Sequence, residues 1–250
     1  MLNIWAVIIT FNAESRLRQA LSSVSFAREI VIVDCGSTDR TLEICRESGA
    51  RIIERQWSGY SEQKNSGIGE ARGTWILSMD ADEELSPLLA REIKALEEPA
   101  PYSGYRIPRL NYYFGRALYH GGQYPDLQLR LFRKDLGCFD SRLIHEAVRI
   151  PGPVGRLKGD LLHYTYETIQ DYFNKFNRYT MLEAQSLAES GKRPSTASLA
   201  WALLARPWLK FIRRYFFKLG FLDGVPGLLA ALFTAFTMTV SYARYWEKTR

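Results

Sequence analysis

Two carboxylates one residue apart, Asp80 and Asp82, close the apolar run "TWILSMDAD", and Glu83 and Glu84 follow at once. Acids packed this densely repel one another, so the cluster either lies in water or holds a cation. An extended backbone sets alternate side chains on one face, which would turn Asp80 and Asp82 together around Ala81. Two carboxylates with open positions suit Mg²⁺ or Mn²⁺, hard ions that keep waters and take substrate phosphate oxygens as further ligands. The competing reading is an acidic approach to a helix, because "DEELSP" puts Glu83 and Glu84 where a helix dipole favours acids. That reading suits Glu83, Glu84 and Ser86. It suits Asp80 badly, since a strand-end acid gains little from a helix several residues on.

A second acid lies at the end of another apolar run. "EIVIVDCGSTDRT" ends its strand-like stretch on Asp34, then offers Gly36 for a tight turn and Ser, Thr and Asp39 as caps. An acid in the place of Asp34 can accept hydrogen bonds from a base or a ribose, whereas Asp39 reads as a turn stabiliser. The chain has no G-x-G-x-x-G fingerprint and no Walker loop, which argues against a dehydrogenase and against a P-loop ATPase.

The elements that must position these residues follow from hydrophobic patterning. Ile4–Thr10 and Glu29–Asp34 are continuous β-branched runs, as expected of strands covered on both faces. Helical spacing over 16–25, 42–48 and 60–73 separates them from the short run "ARIIER" and from "TWILSMD". Strands alternating with such helices imply βαβ units and a mostly parallel sheet. Ligands then bind beyond the carboxyl ends of the strands, where Thr10, Asn12, Asp34 and Asp80 all fall. After a helix over 87–98 the pattern changes. "YRIPRLNYYFG", "LQLRLFRK" and "GDLLHYTY" read as strands added to the same sheet, and 168–190 reads as a helix. "SGKRPSTAS" reads as a linker, giving a domain over 1–190 and a tail over 191–250.

The stretches "VIITFNAES", "EIVIVDCGSTDRT", "EQKNSGIGEARGTWILSMDADEEL" and "GCFDSRLIHEAV" resemble, in order, the motifs of the family 2 glycosyltransferases with the GT-A fold. The resemblance covers about residues 1–190, and "LIHEAV", "HYTY" and "GFLDGVPGLLAA" are most similar to the lipopolysaccharide inner-core β-1,4-glucosyltransferase subgroup. It implies an α/β, Rossmann-like mixed sheet flanked by helices, and particular roles. Thr10 and Asn12 would face the nucleotide, Asp34 the uracil or ribose, and Lys64 or Asn65 the nucleotide or diphosphate. Asp80 and the adjoining Ala81 would meet the ribose and the metal shell, and Asp82 would ligate the cation. Cys35 departs from the pattern, since many relatives carry a second Asp there.

An inverting transfer needs a general base to take the proton from the acceptor hydroxyl. The resemblance places Glu146 of "LIHE" in that role, with Asp126 of "GGQYPDLQLR" as the second candidate. His145 could orient the base or touch the acceptor. His163 is either a hydrogen-bonded core residue or a third contact to the cation or diphosphate. Gly121 and Gly122 would let the backbone approach the sugar closely, although a plain turn needs glycine too.

Charge is unevenly placed. The chain carries +6, but residues 192–250 hold ten Lys/Arg against Asp223 and Glu247, leaving −2 for everything before. Arg206, Lys210, Arg213, Arg214 and Lys218 recur at helical spacing among Trp, Phe and Leu, as in a helix lying on anionic headgroups. The uncharged run 225–243 approaches spanning length, but Pro226 and Gly227 spoil its start, which favours peripheral attachment. No nucleic-acid motif accompanies the basic stripe. Cys35, Cys45 and Cys138 share no metal-ligand spacing. The N-terminal run lacks the basic flank of a signal peptide, so a cytoplasmic setting is expected.

The sequence thus predicts a metal-dependent, inverting transferase using a divalent cation, Mg²⁺ or Mn²⁺. The donor would be UDP-glucose and the acceptor a lipid-linked saccharide, at the cytoplasmic face of the bacterial inner membrane. Transfer onto polyprenyl phosphate is the nearest rival. A sugar-nucleotide pyrophosphorylase would need a basic glycine-rich loop after the first strand, which "TFNAESRL" lacks. A non-catalytic membrane scaffold would not need Asp34, Asp80, Asp82 and Glu146.

Overall fold

The computed structural model describes residues 2–140, 147–189 and 195–249. The first half alternates strand and helix as the patterning predicts. In order come β1 (Ile4–Thr10), α1 (Leu17–Ser23), β2 (Glu29–Asp34), α2 (Thr41–Glu47), β3 (Arg51–Glu54), α3 (Tyr60–Glu70) and β4 (Trp75–Asp80). Next are β5 (Glu83–Leu85), α4 (Pro87–Lys94), β6 (Gly104–Tyr113), β7 (Arg116–Ala117), β8 (Asp126–Arg133), β9 (Cys138–Phe139), β10 (Val148–Arg149), β11 (Val154–Arg156) and β12 (Leu161–Tyr166). The helices α5 (Ile169–Glu189), α6 (Thr196–Ala200), α7 (Arg206–Ile212) and α8 (Gly224–Thr249) complete the chain.

The chain divides into two compact units, one of Met1–Arg109 with Asp126–His163 and one of Leu110–Pro125 with Tyr164–Arg250. The main sheet runs β3-β2-β1-β4-β8-β6-β12-β5. Its first four strands are parallel, and β8 then joins β4 antiparallel. The late strands therefore extend the first sheet, as expected. Side chains of β1 alternate between two cores. Ile4, Ala6 and Ile8 pack with Leu17, Leu77 and Leu89, whereas Trp5 and Val7 pack with Ile68, Ile76 and Phe132. A period of two feeding two cores is why these strands read as continuous apolar runs.

Two local features set the site. A Cβ on Gly67 of α3 would stand 2.5 Å from Val7 Cγ1 and 2.8 Å from Val33 Cγ2, so glycine there lets the helix lie close on the sheet. One turn earlier on that helix is Lys64. Ser86 caps α4 by accepting the Leu89 N–H, with Pro87 in the first turn, as the sequence suggests.

In the second unit α5 packs on α8. Tyr172 stacks on Phe233 with ring centroids 4.1 Å apart, and Phe176 stacks on Phe236 at 5.1 Å. The expected basic helix is not uniform, because π-helical turns Trp201–Ala205 and Arg213–Phe217 flank α7. A 3₁₀ turn, Gly220–Asp223, leads into α8. Pro226 does not spoil that helix. It sits in the first turn, where its missing N–H costs nothing, and the helix runs 26 residues from Gly224. Among the described residues one helix, Gly220–Thr249, is long and apolar enough to cross a membrane.

Candidate active site

The parallel register brings three strand ends side by side. Thr10 stands opposite Asp34, and Ile9 opposite Asp80. Asp34 is fully buried and accepts from Thr10 Oγ1 at 2.9 Å, from the N–H groups of Gly36 and Ser37, and from the Ser37 hydroxyl. It therefore holds the turn after β2. Ser37 Oγ in turn accepts the Asn12 N–H, and Asn12 Oδ1 accepts the Thr38 N–H, with Asn12 in the left-handed region at φ 47°. Asp39 takes the N–H groups of Glu14 and Thr41, which makes it the turn stabiliser expected. Burial and the Asp34 charge push the Cys45 thiol up to about 11, so it is an inert core residue.

The D-x-D pair is not extended. Ala81 and Asp82 form a turn, so the extended geometry expected of them is broken. The cause is Glu83. Far from lying in water at a helix entrance, it is buried in β5 and accepts the Asp80 N–H. Asp80 turns instead to cations, with Lys64 Nζ 3.0 Å from Oδ1 and Arg130 Nη2 2.8 Å from Oδ2. Burial pushes the Asp80 carboxyl up, but Lys64 and Arg130 outweigh it and hold it well below the usual carboxylate range. Asp82 lies beside His163, Oδ1 to Nε2 3.6 Å, because β12 pairs with β5 and sets His163 opposite Glu83.

The ion chain continues inward. Arg130 also donates to Glu83 at 2.7 Å, Arg109 approaches Glu83 at 3.5 Å, and Arg109 grips Asp126 Oδ2 through Nε and Nη2. Gln128 donates to the other Asp126 oxygen. Burial disfavours the Arg109 charge, yet Glu83 and Asp126 raise its pKa overall. Asp126 is thus a member of this chain, with both oxygens engaged. Sequence reasoning missed Glu83, Arg109 and Arg130. The signal available was Arg130 between Leu129 and Leu131 in a strand run, since a buried cation must find an acid.

Lys64 is buried, and its ammonium also lies 5.0 Å from the Phe139 ring centre. Asn65, expected at the nucleotide or diphosphate, spends both ends of its amide on the Phe139 backbone and so ties β9 to α3. Asp140 and Ala147 bond to each other through their backbones. His145 and Glu146 lie between them, outside the described residues. In the second unit Gly121 and Gly122 have φ of 65° and 70°, a left-handed turn whose Gly121 N–H binds the Lys218 carbonyl. His120 Nδ1 lies 2.8 Å from Asp223.

A doubly covered sheet with Thr10, Asp34 and Asp80 at its parallel strand ends has the α/β arrangement in which ligands bind beyond the carboxyl ends of the strands. The family model for glycosyl transferase family 2 matches residues 5–145, and the chain belongs to that family. The lipopolysaccharide core biosynthesis glycosyltransferase LpsC of Rhizobium meliloti is 31% identical over 98% of this chain and 94% of its own length. An uncharacterized glycosyltransferase of Rickettsia typhi is 31% identical over 99% of this chain and 88% of its own. Among solved structures, TarS of S. aureus shares the GT-A fold at TM-score 0.50 and 16% identity, over all of this chain and 91% of that one. TarS has been crystallised with UDP and with UDP-GlcNAc.

The described residues contain no cluster of three or more His, Cys, Asp or Glu that could hold a metal ion. One carboxylate and one imidazole, Asp82 and His163, do lie together. That donor pair fits a divalent cation whose other ligands are waters and phosphate oxygens.

Proposed function

We propose that this glycosyltransferase moves glucose from UDP-glucose, with inversion, onto a lipid-anchored saccharide of the lipopolysaccharide core. It would work as a peripheral protein at the cytoplasmic face of the inner membrane. The observation that carries this reading is the convergence of the β1, β2 and β4 ends on Asp34, Asp80 and Asp82 in a family 2 chain. Similarity to LpsC over nearly the whole length supports the acceptor class.

Each residue then has a task. Asp34 acts through the turn it holds, so that Thr10, Asn12 and the Gly36–Ser37 backbone wall the nucleotide. Asp80 reaches the ribose and the water shell of the cation while Lys64 and Arg130 keep it ionised. Asp82 and His163 would hold Mg²⁺ or Mn²⁺, which when bound supplies charge to stabilise the diphosphate leaving group. Glu146, placed by the family motif, takes the proton from the acceptor hydroxyl.

A panel of nucleotide sugars, incubated with lipid-anchored core saccharide and Mg²⁺ or Mn²⁺, tests the reading. UDP-glucose is expected to be the donor, and Asp82→Asn to lower metal-dependent transfer by about 10²–10³ without lowering the melting temperature. Turnover of no nucleotide sugar by the metal-supplied wild type would overturn the reading. Full activity of Asp82→Asn would remove Asp82 from the metal site.

A further inference from the structure

We propose that Trp201–Asp223, and not α8, is the surface that docks the protein on an anionic lipid bilayer, lying in the interface without crossing it. The inference deepens the peripheral membrane placement proposed above and rests on it.

Two features of the second unit carry it. Trp201, Leu204, Trp208, Ile212 and Phe216 recur every three or four residues, and all are exposed, Leu204 and Trp208 by about two thirds. The turn that follows exposes Phe217, Leu219 and Leu222, with Phe217 at 79%. Exposed apolar side chains gathered this densely on one short segment mark a surface that meets a partner. Tryptophan on such a surface belongs at the level of lipid headgroups, where an apolar ring meets a wet boundary.

The charges on the same segment choose the partner. No hydrogen bond or ion pair with a described residue engages the side chains of Lys210, Arg213 or Lys218, whereas Arg214 is half-buried and lines a cavity with His120 and Asp223. Asp223, the one acid in the segment, is taken by His120. Burial, then Arg214, Arg213 and Arg206, all lower the Lys210 pKa, so the cluster repels itself and favours an external anion. A bilayer containing anionic lipid supplies that charge and covers the apolar side chains at once.

The helix α8 is the obvious alternative, but its contacts oppose a span. Its Phe233 and Phe236 stack on Tyr172 and Phe176 of α5. Ser241 donates to Glu183 at 2.6 Å, and Arg244 donates to the Asn177 carbonyl and side chain. Crossing a bilayer would strip these contacts or carry Glu183 and its charged neighbours on α5 into hydrocarbon, at high cost.

Flotation of the full-length protein with phosphatidylcholine vesicles, and with vesicles that also contain phosphatidylglycerol, tests the assignment. Binding is expected to the mixed vesicles and to weaken as salt rises. Trp208→Glu with Phe217→Glu should lower partitioning at least about tenfold by removing buried apolar area. Arg213→Ala with Lys218→Ala should lower it about fivefold per cation on the mixed vesicles. Leu232→Glu, exposed on α8, should change it less than twofold. Unchanged flotation of the Trp208/Phe217 variant, loss of flotation in Leu232→Glu, or capture of RNA in place of vesicles would each overturn the proposal. Hydrolysis of UDP-glucose in solution separates the two readings. Wild type that docks but consumes no donor sinks the transfer reaction alone, and a Trp208/Phe217 variant that docks and turns over as wild type sinks this surface alone.

Discussion

The strand ends of the first unit and the Trp201–Asp223 segment both concentrate charge, and they handle it in opposite ways. Around Asp80 three cations, Lys64, Arg130 and Arg109, alternate with three carboxylates, Asp80, Glu83 and Asp126, at separations from 2.6 to 3.5 Å. The charges balance inside the molecule, so the geometry is fixed before any ligand arrives. In the tail, Lys210, Arg213, Arg214 and Lys218 make no such ion pairs among the described residues, and Arg213 and Lys218 are exposed. The first arrangement stores precision and the second stores affinity for whatever anion comes.

That contrast can be broken most sharply at Arg130. Replacing it with Met should leave Asp80 and Glu83 short of their shared cation and cost about 3–5 kcal/mol in urea unfolding, as for one partner removed from a buried pair. A cost below 1 kcal/mol would show that the ion chain is not the element that holds this end of the sheet. Acid titration probes the same contact more gently. The folded Asp80 pKa is depressed, so its contribution is present above the ordinary carboxylate pKa of about 4 and is lost as pH falls below it. Stability measured on descending from pH 6 should fall through that range, and Asp80→Asn should flatten the fall. The smallest effect belongs to the tail. Lys218→Ala should leave the unfolding midpoint of the free protein unchanged, since no internal partner is lost. A shifted midpoint would mean that the tail cations stabilise the fold after all.

Much of the first unit was legible in the sequence. Continuous β-branched runs marked β1 and β2, and Ser86-Pro87 marked the start of α4, because these signals are local. The late strands were legible as extensions of the same sheet. The site was legible only in part. Asp34 and Asp80 could be placed at strand ends, but Glu83 read as the acidic entrance to the next helix, and the hold of Asn65 on the Phe139 backbone was not foreseen. Both gaps have one cause. The partners of these residues come from β8 and β9, some fifty to seventy residues on, and no local pattern announces them. Glu146 lies outside the described residues, so its role rests on the family motif.

By itself, the sequence determined the alternation of strands and helices through β4, the family, the acids at the strand ends and the basic, aromatic character of the tail. These follow from periodicity, turn chemistry and composition, which act over a few residues at a time. Only the tertiary structure decided that Asp80 and Asp82 part company, one to Lys64 and Arg130 and the other to His163. It also decided that α8 packs on α5 through stacked rings, leaving apolar side chains of Trp201–Asp223 exposed. Charge pairing and face-to-face packing depend on which strands and helices become neighbours, and that is fixed only when the whole chain has folded.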